Sequence, residues 1–353
     1  MKKSLFIMAV CAAGLTACTS NEVIEEGVQS NAIGFQHMVS KESRALDKNS
    51  LNFFSVYGYY TTAGKEANAV IVFNGEDVKL DGGEWKYANT RYWVPDATYY
   101  FYAYSCENSE VSGGNGGASM NFEGADVAAR ALRLNNYVCN DGHNHDLIYA
   151  TNDAGIKGKK ESNDKVAFTF KHILSRVNVE FTSGFPAGYT VEISNVQIED
   201  FLDKGSYNPA NGGAWTNLSQ TQPGERTPFT TFAVPADANV AAVANGTVAE
   251  QTVKTDVKYV IPHAYVAEGD NAEDPVGLQF EVTVKNQEGV TILNRTLTGS
   301  WSPNWQIGYS YTYHVEVTGS TTALDPIVFE TSQNVDDWTP GTTTSVNMTF
   351  SAN

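Results

Sequence analysis

Short segments in which apolar and polar residues alternate recur from Asn31 to the end of the chain, and they constrain the fold more than any other feature. Because successive side chains of a β-strand point to opposite faces of a sheet, this period of two predicts strands. The segments are rich in Val, Ile, Thr, Tyr and Phe and are bounded by turn residues such as Asp81-Gly82-Gly83. The clearest are Asn52–Tyr60, Ala69–Phe73, Thr98–Tyr104, Val166–Phe170, Arg176–Phe181, Thr190–Ile198, Leu278–Val284, Tyr309–Val317 and Ser345–Phe350. The chain is therefore predicted to be all-β, with many short strands packed as sandwiches.

The length of the chain predicts more than one domain. Its 353 residues exceed what a single hydrophobic core comfortably supports. The polar stretch Asn152–Asp164 precedes a new strand-rich segment, so we expect an N-terminal β-sandwich domain at 31–164 and a C-terminal one at 165–353. Only Gly124–Asn135 looks helical, and a short helix or a crossover would both fit it.

The N-terminal residues have the pattern of an export signal. Lys2 and Lys3 precede an apolar run from Leu5 to Leu15, which is too short to span a bilayer. The run ends in Leu15-Thr16-Ala17-Cys18, which resembles a bacterial lipoprotein signal. The resemblance implies that residues 1–17 are removed and that Cys18 is acylated. An ordinary secretory signal that is cut elsewhere is the alternative.

The segment after the cysteine is acidic and poor in large apolar residues. Glu22, Glu25 and Glu26 lie within it, and such a composition favours a solvated tether. We therefore interpret residues 18–30 as a tether that holds the folded part away from the lipid. Several acyl chains make a durable anchor. Acidic residues just after an acylated cysteine also resemble the surface-export signal of Bacteroidetes lipoproteins, and this resemblance implies that the precursor reaches the outer membrane and the cell surface.

The charge of the chain excludes one class of partner. It carries 23 Lys and Arg against 40 Asp and Glu, a formal net charge of −17. Binding to nucleic acid depends on neutralisation of phosphates by Lys and Arg. We therefore expect no nucleic-acid partner.

Motifs for catalysis or for a resident metal are weak. No Gly-x-Ser-x-Gly and no His-Glu-x-x-His occurs in the chain. His143 and His145 are flanked by carboxylates and could hold a metal in a turn, but a polar loop before a strand explains them better. We expect a protein that is not an enzyme and has neither metal nor cofactor.

Two cysteines remain in the part of the chain that should fold, Cys106 and Cys139. In an oxidising compartment they could form one disulfide. Two buried free thiols are the alternative, because sequence does not show whether the two Cα atoms lie within bridging range. No neighbouring motif makes either thiol a nucleophile.

A series of aromatic-rich segments, in a fixed order behind the lipoprotein signal, resembles the fimbrillin-like family of the Bacteroidetes. The resemblance covers most of the chain, and no single segment carries it. The segments are Ser43-Arg44-Ala45, Phe53–Tyr60, Trp85–Tyr87, Arg91–Pro95, Tyr99–Tyr104, Asp146–Ala150, Phe170–Val177, Trp305–Tyr313 and Val335–Trp338.

This resemblance implies two transthyretin-like, Greek-key β-sandwich domains in tandem. It also implies a structural subunit of surface fimbriae, which polymerises with other fimbrial subunits by donor-strand exchange. In that mechanism an arginine-specific protease removes the first strand of the precursor, and a strand from a neighbouring subunit takes its place. Stalk, tip and anchor roles all remain open.

The first strand and the cleavage site can be placed on residues. Asn31–Val39 is the candidate strand, with Ile33 and Phe35 on one face. Arg44 follows in a polar stretch, so the expected cut lies between Arg44 and Ala45. An ordinary surface arginine is the alternative.

The C-terminal residues offer a candidate donor strand. Val346, Met348 and Phe350 alternate with polar residues, which is the half-apolar pattern that a groove-filling strand requires. The alternative is that this segment is simply the last strand of the second domain.

A different function is also compatible with the sequence. The chain could be a tethered surface adhesin or glycan-binding lipoprotein that does not polymerise. It would bind through exposed rings of Trp85, Tyr87, Trp93 and Tyr99–Tyr104, although packing in a core is the commoner fate of such residues.

Overall fold

The described part of the chain is all-β, as predicted. The computed structural model describes residues 32–39, 51–63, 69–109, 118–122, 132–158, 165–185, 187–209, 212–223, 229–234, 239–241, 252–269, 272–318, 327–331, 339–340, 346–348 and 351–352. Within these ranges there are strands and turns but no α-helix. Accordingly, the described residues include no helix with the length and hydropathy of a membrane span.

Seven of the first nine strands form one sheet. The strands are β1 (Gly34–Val39), β2 (Phe53–Thr61), β3 (Val70–Asp81), β4 (Glu84–Lys86), β5 (Thr98–Cys106), β6 (Ser119–Phe122), β7 (Leu132–Val138), β8 (Leu147–Lys157) and β9 (Lys165–His172). The sheet has the order β1-β9-β8-β5-β2-β3-β4, and only β1 and β9 run parallel within it. β1 and β4 stand at opposite ends of this order yet contact each other. The sheet therefore curls around the core on one of its faces.

The central strand β5 is buried on both faces. Tyr99, Phe101 and Ala103 point into the core inside the curl, which we call the aromatic core. Tyr100, Tyr102 and Tyr104 alternate with them and point into a second core on the opposite face, the tyrosine core. All six side chains are buried. The side chains of Tyr99–Tyr104 therefore pack in a core on each face of the sheet, as the strand period of two requires.

A four-stranded sheet covers the tyrosine core. The next strands in chain order are β10 (Ser175–Ser183), β11 (Thr190–Glu199), β12 (Lys204–Asn208) and β13 (Ala214–Ser219). Of these, β12 and β13 join β7 and β6 in the covering sheet, which has the order β13-β12-β7-β6, and β7 and β12 pair with Lys204 opposite Val138. Tyr207 of β12 packs edge-on against Tyr149 of the first sheet, with ring centroids 5.8 Å apart.

This covering sheet takes strands from both sides of the predicted boundary at 164/165. In addition β9, which begins at that boundary, pairs with β8 and β1 in the first sheet. The two halves of the sequence therefore share a core, and their division into two domains stays a prediction. The interpretation of Gly124–Asn135 as a helix is wrong from Leu132 onward, because these residues belong to β7.

The remaining strands form a second sandwich. They are β14 (Phe229–Thr231), β15 (Asn239–Ala241), β16 (Val253–Lys254), β17 (Lys258–Val260), β18 (Val276–Lys285), β19 (Thr291–Trp301), β20 (Tyr309–Val317), β21 (Ile327–Thr331), β22 (Thr339–Pro340), β23 (Val346–Met348) and β24 (Ser351–Ala352). One sheet has the order β16-β10-β20-β21-β23, and the other has the order β14-β11-β18-β19-β24. The side chains between these two sheets form one apolar core, in which the ring centroids of Phe181 and Phe280 lie 5.0 Å apart.

The connection from β9 to β10, Ile173 and Leu174, is held by hydrogen bonds from three sides. The Ile173 amide donates to Leu147 O (3.1 Å), and Ile173 O accepts from the Trp215 indole (2.6 Å). The Gly308 amide donates to Leu174 O (2.9 Å). We call this connection the junction. It joins the first sheet, the covering sheet and the second sandwich at one place.

The shared core predicts that both halves of the chain lose stability together. Tyr207→Ala removes a buried ring, which should cost about 3–5 kcal/mol of unfolding free energy. Hydrogen exchange read by mass spectrometry should become faster in β5 and in β13 alike, because both strands pack against the tyrosine core. Tyr92→Ala, at an exposed ring, is the matched control and should leave exchange unchanged. Faster exchange in only one of the two strands would contradict a shared core.

Candidate functional site: the first-strand groove

β1 is paired along one backbone edge, and the two residues just before it are bonded on the other side. On one side it runs parallel to β9, in register from Gly34 opposite Lys165 to Val39 opposite Phe170. On the other side the Ile33 amide donates to Arg91 O (2.8 Å), and Ala32 forms a bridge with Tyr92. The first strand therefore fills a gap between β9 and the loop that follows β4.

The side chains from Ile33 to Gln36 alternate between the aromatic core and the outside. Ile33 and Phe35 are each 1% exposed, whereas Gln36 is exposed. The prediction that Ile33 and Phe35 share a face therefore agrees with their burial in one core. Gln36 belongs to the outer face of the same strand.

Phe35 lies at the centre of a ring cluster. Its ring centroid is 5.4 Å from that of Phe73 and 5.6 Å from that of Tyr87, both edge-on, and it stacks on Phe168 at 5.9 Å. Phe54 and Phe101 contact it edge-on as well. Edge-on and offset pairs of this kind add to the stabilisation from buried area alone. Phe35 thus connects rings from β2, β3, β5 and β9.

Tyr87 fixes the start of the strand. Its hydroxyl donates to Ile33 O (2.7 Å) and accepts from the Arg91 amide (3.1 Å). Burial is the main cause that raises the pKa of Tyr87, so the hydroxyl remains a donor at neutral pH. The guanidinium of Arg91 donates to Asn89 O (2.6 Å) and lies 3.7 Å from a carboxylate oxygen of Glu76. Sequence reasoning named Tyr87 and Arg91 in family segments, and Tyr87 also as a candidate glycan-binding ring, but no local pattern signals that they would contact β1.

Without β1, these contacts would leave a groove with a row of unpaired β9 backbone groups above an aromatic floor. Burying Ile33 and Phe35 contributes about 1.5–3 kcal/mol for each side chain. A groove of this kind has no reacting groups. What it can do chemically is bind an extended segment that carries apolar side chains at alternate positions.

Some of the predicted site residues lie outside the described residues. These are Cys18, Arg44, Ala45 and Phe350. Val346 and Met348 are on β23, which pairs antiparallel with β21, with Val346 opposite Phe329. Lipidation, cleavage and donor function therefore stay predictions.

Cys106 and Cys139 are buried free thiols in the structure, with no bond between them. Cys106 ends β5, and the Cys139 thiol donates to Tyr259 O (3.0 Å). Burial raises the pKa of the Cys106 thiol to about 12, and it raises the pKa of Cys139 well above its usual value. Neither thiol is activated as a nucleophile.

Four of the histidines that the structure describes lie close to a carboxylate. His145 Nδ1 lies 3.0 Å from Glu107, and His172 Nδ1 lies 2.9 Å from Asp146. The second pair is buried where β8 and β9 meet, close to the junction. Among the residues that the structure describes, no three His, Cys, Asp or Glu side chains are grouped so that they could hold a metal ion.

A comparison with known protein families identifies the family of this chain. The family described as fimbrillin-like matches residues 44–338 of this chain. The chain belongs to the fimbrillin-like family. The matched range contains the walls and floor of the groove, and it lies between β1 and β23. No curated protein matches the chain.

Several solved structures are similar to this fimbrillin-like chain. A candidate cell adhesion protein from Bacteroides uniformis shares 15% identity, with 87% of this chain and 98% of that chain covered and a TM-score of 0.43. A candidate cell adhesion protein from Bacteroides ovatus shares 14%, with 87% and 97% covered and a TM-score of 0.42. The fimbrial anchor protein Mfa2 from Porphyromonas gingivalis shares 10%, with 81% and 90% covered and a TM-score of 0.30.

The burial of Phe35 predicts that the first strand contributes strongly to stability. Phe35→Ala should lower the free energy of unfolding by about 3–5 kcal/mol, because it removes the ring that joins four strands. Gln36→Ala, one residue further and exposed, is the matched control and should change it by less than about 0.5 kcal/mol. Urea titration followed by circular dichroism measures both. Equal effects of the two substitutions would contradict the packing of β1.

Proposed function

We propose that this chain is the precursor of a structural fimbrial subunit, exported as a lipoprotein to the outer membrane and displayed at the cell surface. Proteolysis after Arg44 would remove the lipid at Cys18, the tether and β1 together. A strand from a neighbouring subunit would then fill the groove. One observation carries the proposal: an N-terminal strand closes an aromatic groove, and a polar stretch containing an arginine separates it from the rest of the chain.

The connection between β1 and β2 explains why a single cut could change the state of the groove. While the chain is intact, β1 rebinds at the high effective concentration of a tethered segment. After cleavage at Arg44, rebinding requires an encounter between separate molecules. A strand presented by a neighbouring subunit would then compete successfully for the same backbone groups and the same aromatic floor.

The C-terminal segment is our candidate for the donor. β23 is at the end of its sheet order and pairs with β21. A strand at a sheet edge can leave with the loss of one ladder of hydrogen bonds. Val346, Met348 and Phe350 alternate in the sequence as Ile33 and Phe35 do, so the segment could place apolar side chains in the groove.

The adhesin alternative depended on exposed aromatic rings. Trp93 and Tyr99–Tyr104 are buried, and Trp85 and Tyr87 pack partly buried against the aromatic core. These rings therefore offer no exposed platform for a glycan. The fimbrial proposal needs no catalytic group and no cofactor in this chain, because an external protease makes the cut.

Replacement of the cleavage residue tests the proteolytic step. Arg44→Ala should resist an arginine-specific protease at this position, so that residues 1–44 stay attached and no polymer ladder forms on SDS gels. Lys41→Ala, in the same polar stretch, is the control and should be cut and polymerise like the parent. Mass spectrometry gives the new N-terminus. Polymerisation of Arg44→Ala at the parental rate would contradict the mechanism.

Replacement of an alternating apolar residue tests the donor strand. Met348→Asp would carry an unpaired carboxylate into the aromatic groove, and its desolvation should slow polymerisation at least tenfold, which corresponds to about 1.4 kcal/mol. Asn347→Asp adds the same charge at a polar position and should polymerise like the parent. Light scattering after protease addition measures the rate. The donor assignment is wrong if both variants behave alike.

A further inference from the structure

Large apolar side chains that face the solvent are concentrated at two places in the molecule. Eight such residues are exposed among those that the structure describes. Six belong to the two groups defined below, and the other two, Leu80 and Val266, lie nearer the junction. The eight are Val70, Ile71, Leu80, Tyr92, Val94, Val266, Val290 and Ile292.

The first group lies at the end of the first sheet that is remote from the junction. Val70 and Ile71 pair with the end of β2 that is next to Thr98, the first residue of β5. The last residue of β5, Cys106, pairs with Leu147, which accepts the junction hydrogen bond from Ile173. Nine residues of strand, about 30 Å, therefore separate this group from the junction.

The entrance of the groove is at the same end. Tyr92 forms a bridge with Ala32, immediately before β1. Val94 belongs to the loop that is bonded to Gly158 at the end of β8. We call Val70, Ile71, Tyr92 and Val94 the groove-end patch; Tyr92 is 62% exposed and Ile71 is 56% exposed.

The second group is the tip of the β18–β19 hairpin. Val290 and Ile292 are 56% and 52% exposed, and we call them the hairpin-tip patch. The other end of β19 is Trp301, whose ring lies 6.5 Å from that of Trp305 in the segment leading to the junction. Because β19 is 11 residues long, this patch is about 35 Å from the junction. The groove-end patch lies on the first sheet and the hairpin-tip patch on the second sandwich, and each is at the end away from the junction.

Strand directions connect the two patches to the proposed exchange. β1 starts at the groove-end patch and runs towards the junction. β24 is antiparallel to β19, which runs from the hairpin tip towards the junction, so the C-terminal segment runs towards the hairpin tip. A donor that continues in this direction would leave one subunit at its hairpin-tip patch. It would enter the next subunit at the groove-end patch and run parallel to β9, as β1 does.

We propose that the groove-end patch of one copy of this chain binds the hairpin-tip patch of the preceding copy. The proposal rests on the proposed function, and it adds a second contact that surrounds the exchanged strand. A head-to-tail contact of this kind is heterologous and can extend into a filament. The net charge of −17 makes two copies repel each other, so the apolar residues at the two ends favour association there.

Cross-linking tests the contact directly. Precursor carrying Ile71→Cys is mixed with precursor carrying Ile292→Cys, cleaved with an arginine-specific protease and oxidised mildly. We expect a disulfide-linked dimer that contains one copy of each variant. Cys106 and Cys139 are buried and should not interfere. The control pair, Leu80→Cys with Ile292→Cys, uses an exposed apolar position outside both patches and should give no dimer. Equal yields from the two pairs would overturn the proposal.

Charge substitution provides an independent measurement. Ile292→Asp should slow polymer growth about tenfold while cleavage and thermal stability match the parent. Val266→Asp, at an exposed apolar position near the junction, is the matched control and should grow normally. If Ile292→Asp grows like Val266→Asp, the patch contact is wrong and strand exchange stands. If even the parent forms no polymer after cleavage, the proposed function and the contact are both wrong.

Discussion

Phe35 packs inside the curl of the first sheet, and the backbone of its strand closes that curl. Its ring touches side chains from four strands, while the strand itself pairs with β9 and with the loop after β4. The same few residues therefore complete a core and a hydrogen-bonded edge. Because both depend on β1, whatever occupies its place must supply an apolar face and a free backbone edge together.

The junction relates this groove to the rest of the molecule. The covering sheet draws β6 and β7 from one half of the sequence and β12 and β13 from the other, and it buries the tyrosine core against the first sheet. The hydrogen bonds at Ile173 and Leu174 add fixed points between strands. Shared packing of this kind resists independent motion of the two halves more than a solvated linker would.

Local patterns in the sequence predicted the strands but not all of their partners. Alternation placed Ile33 and Phe35 on one face and divided Tyr99–Tyr104 between two, because side-chain period is a local property. The parallel pairing of β1 with β9 and the pairing of β7 with β12 join residues far apart in the chain, and nothing local specifies such contacts. The helical interpretation of Leu132–Asn135 was wrong because pairing decides its conformation: all four residues pair with β6, and Leu134 also pairs with Tyr207 of β12.

The parallel register of β1 on β9 also has a mechanical consequence. Tension applied along a strand in this position pulls parallel to its length, so its ladder of hydrogen bonds is loaded in shear and must break nearly together. A strand pulled from one end at right angles would instead open one bond at a time. A strand that lies in this groove parallel to β9 thus withstands pulling along its length far better than peeling from one end.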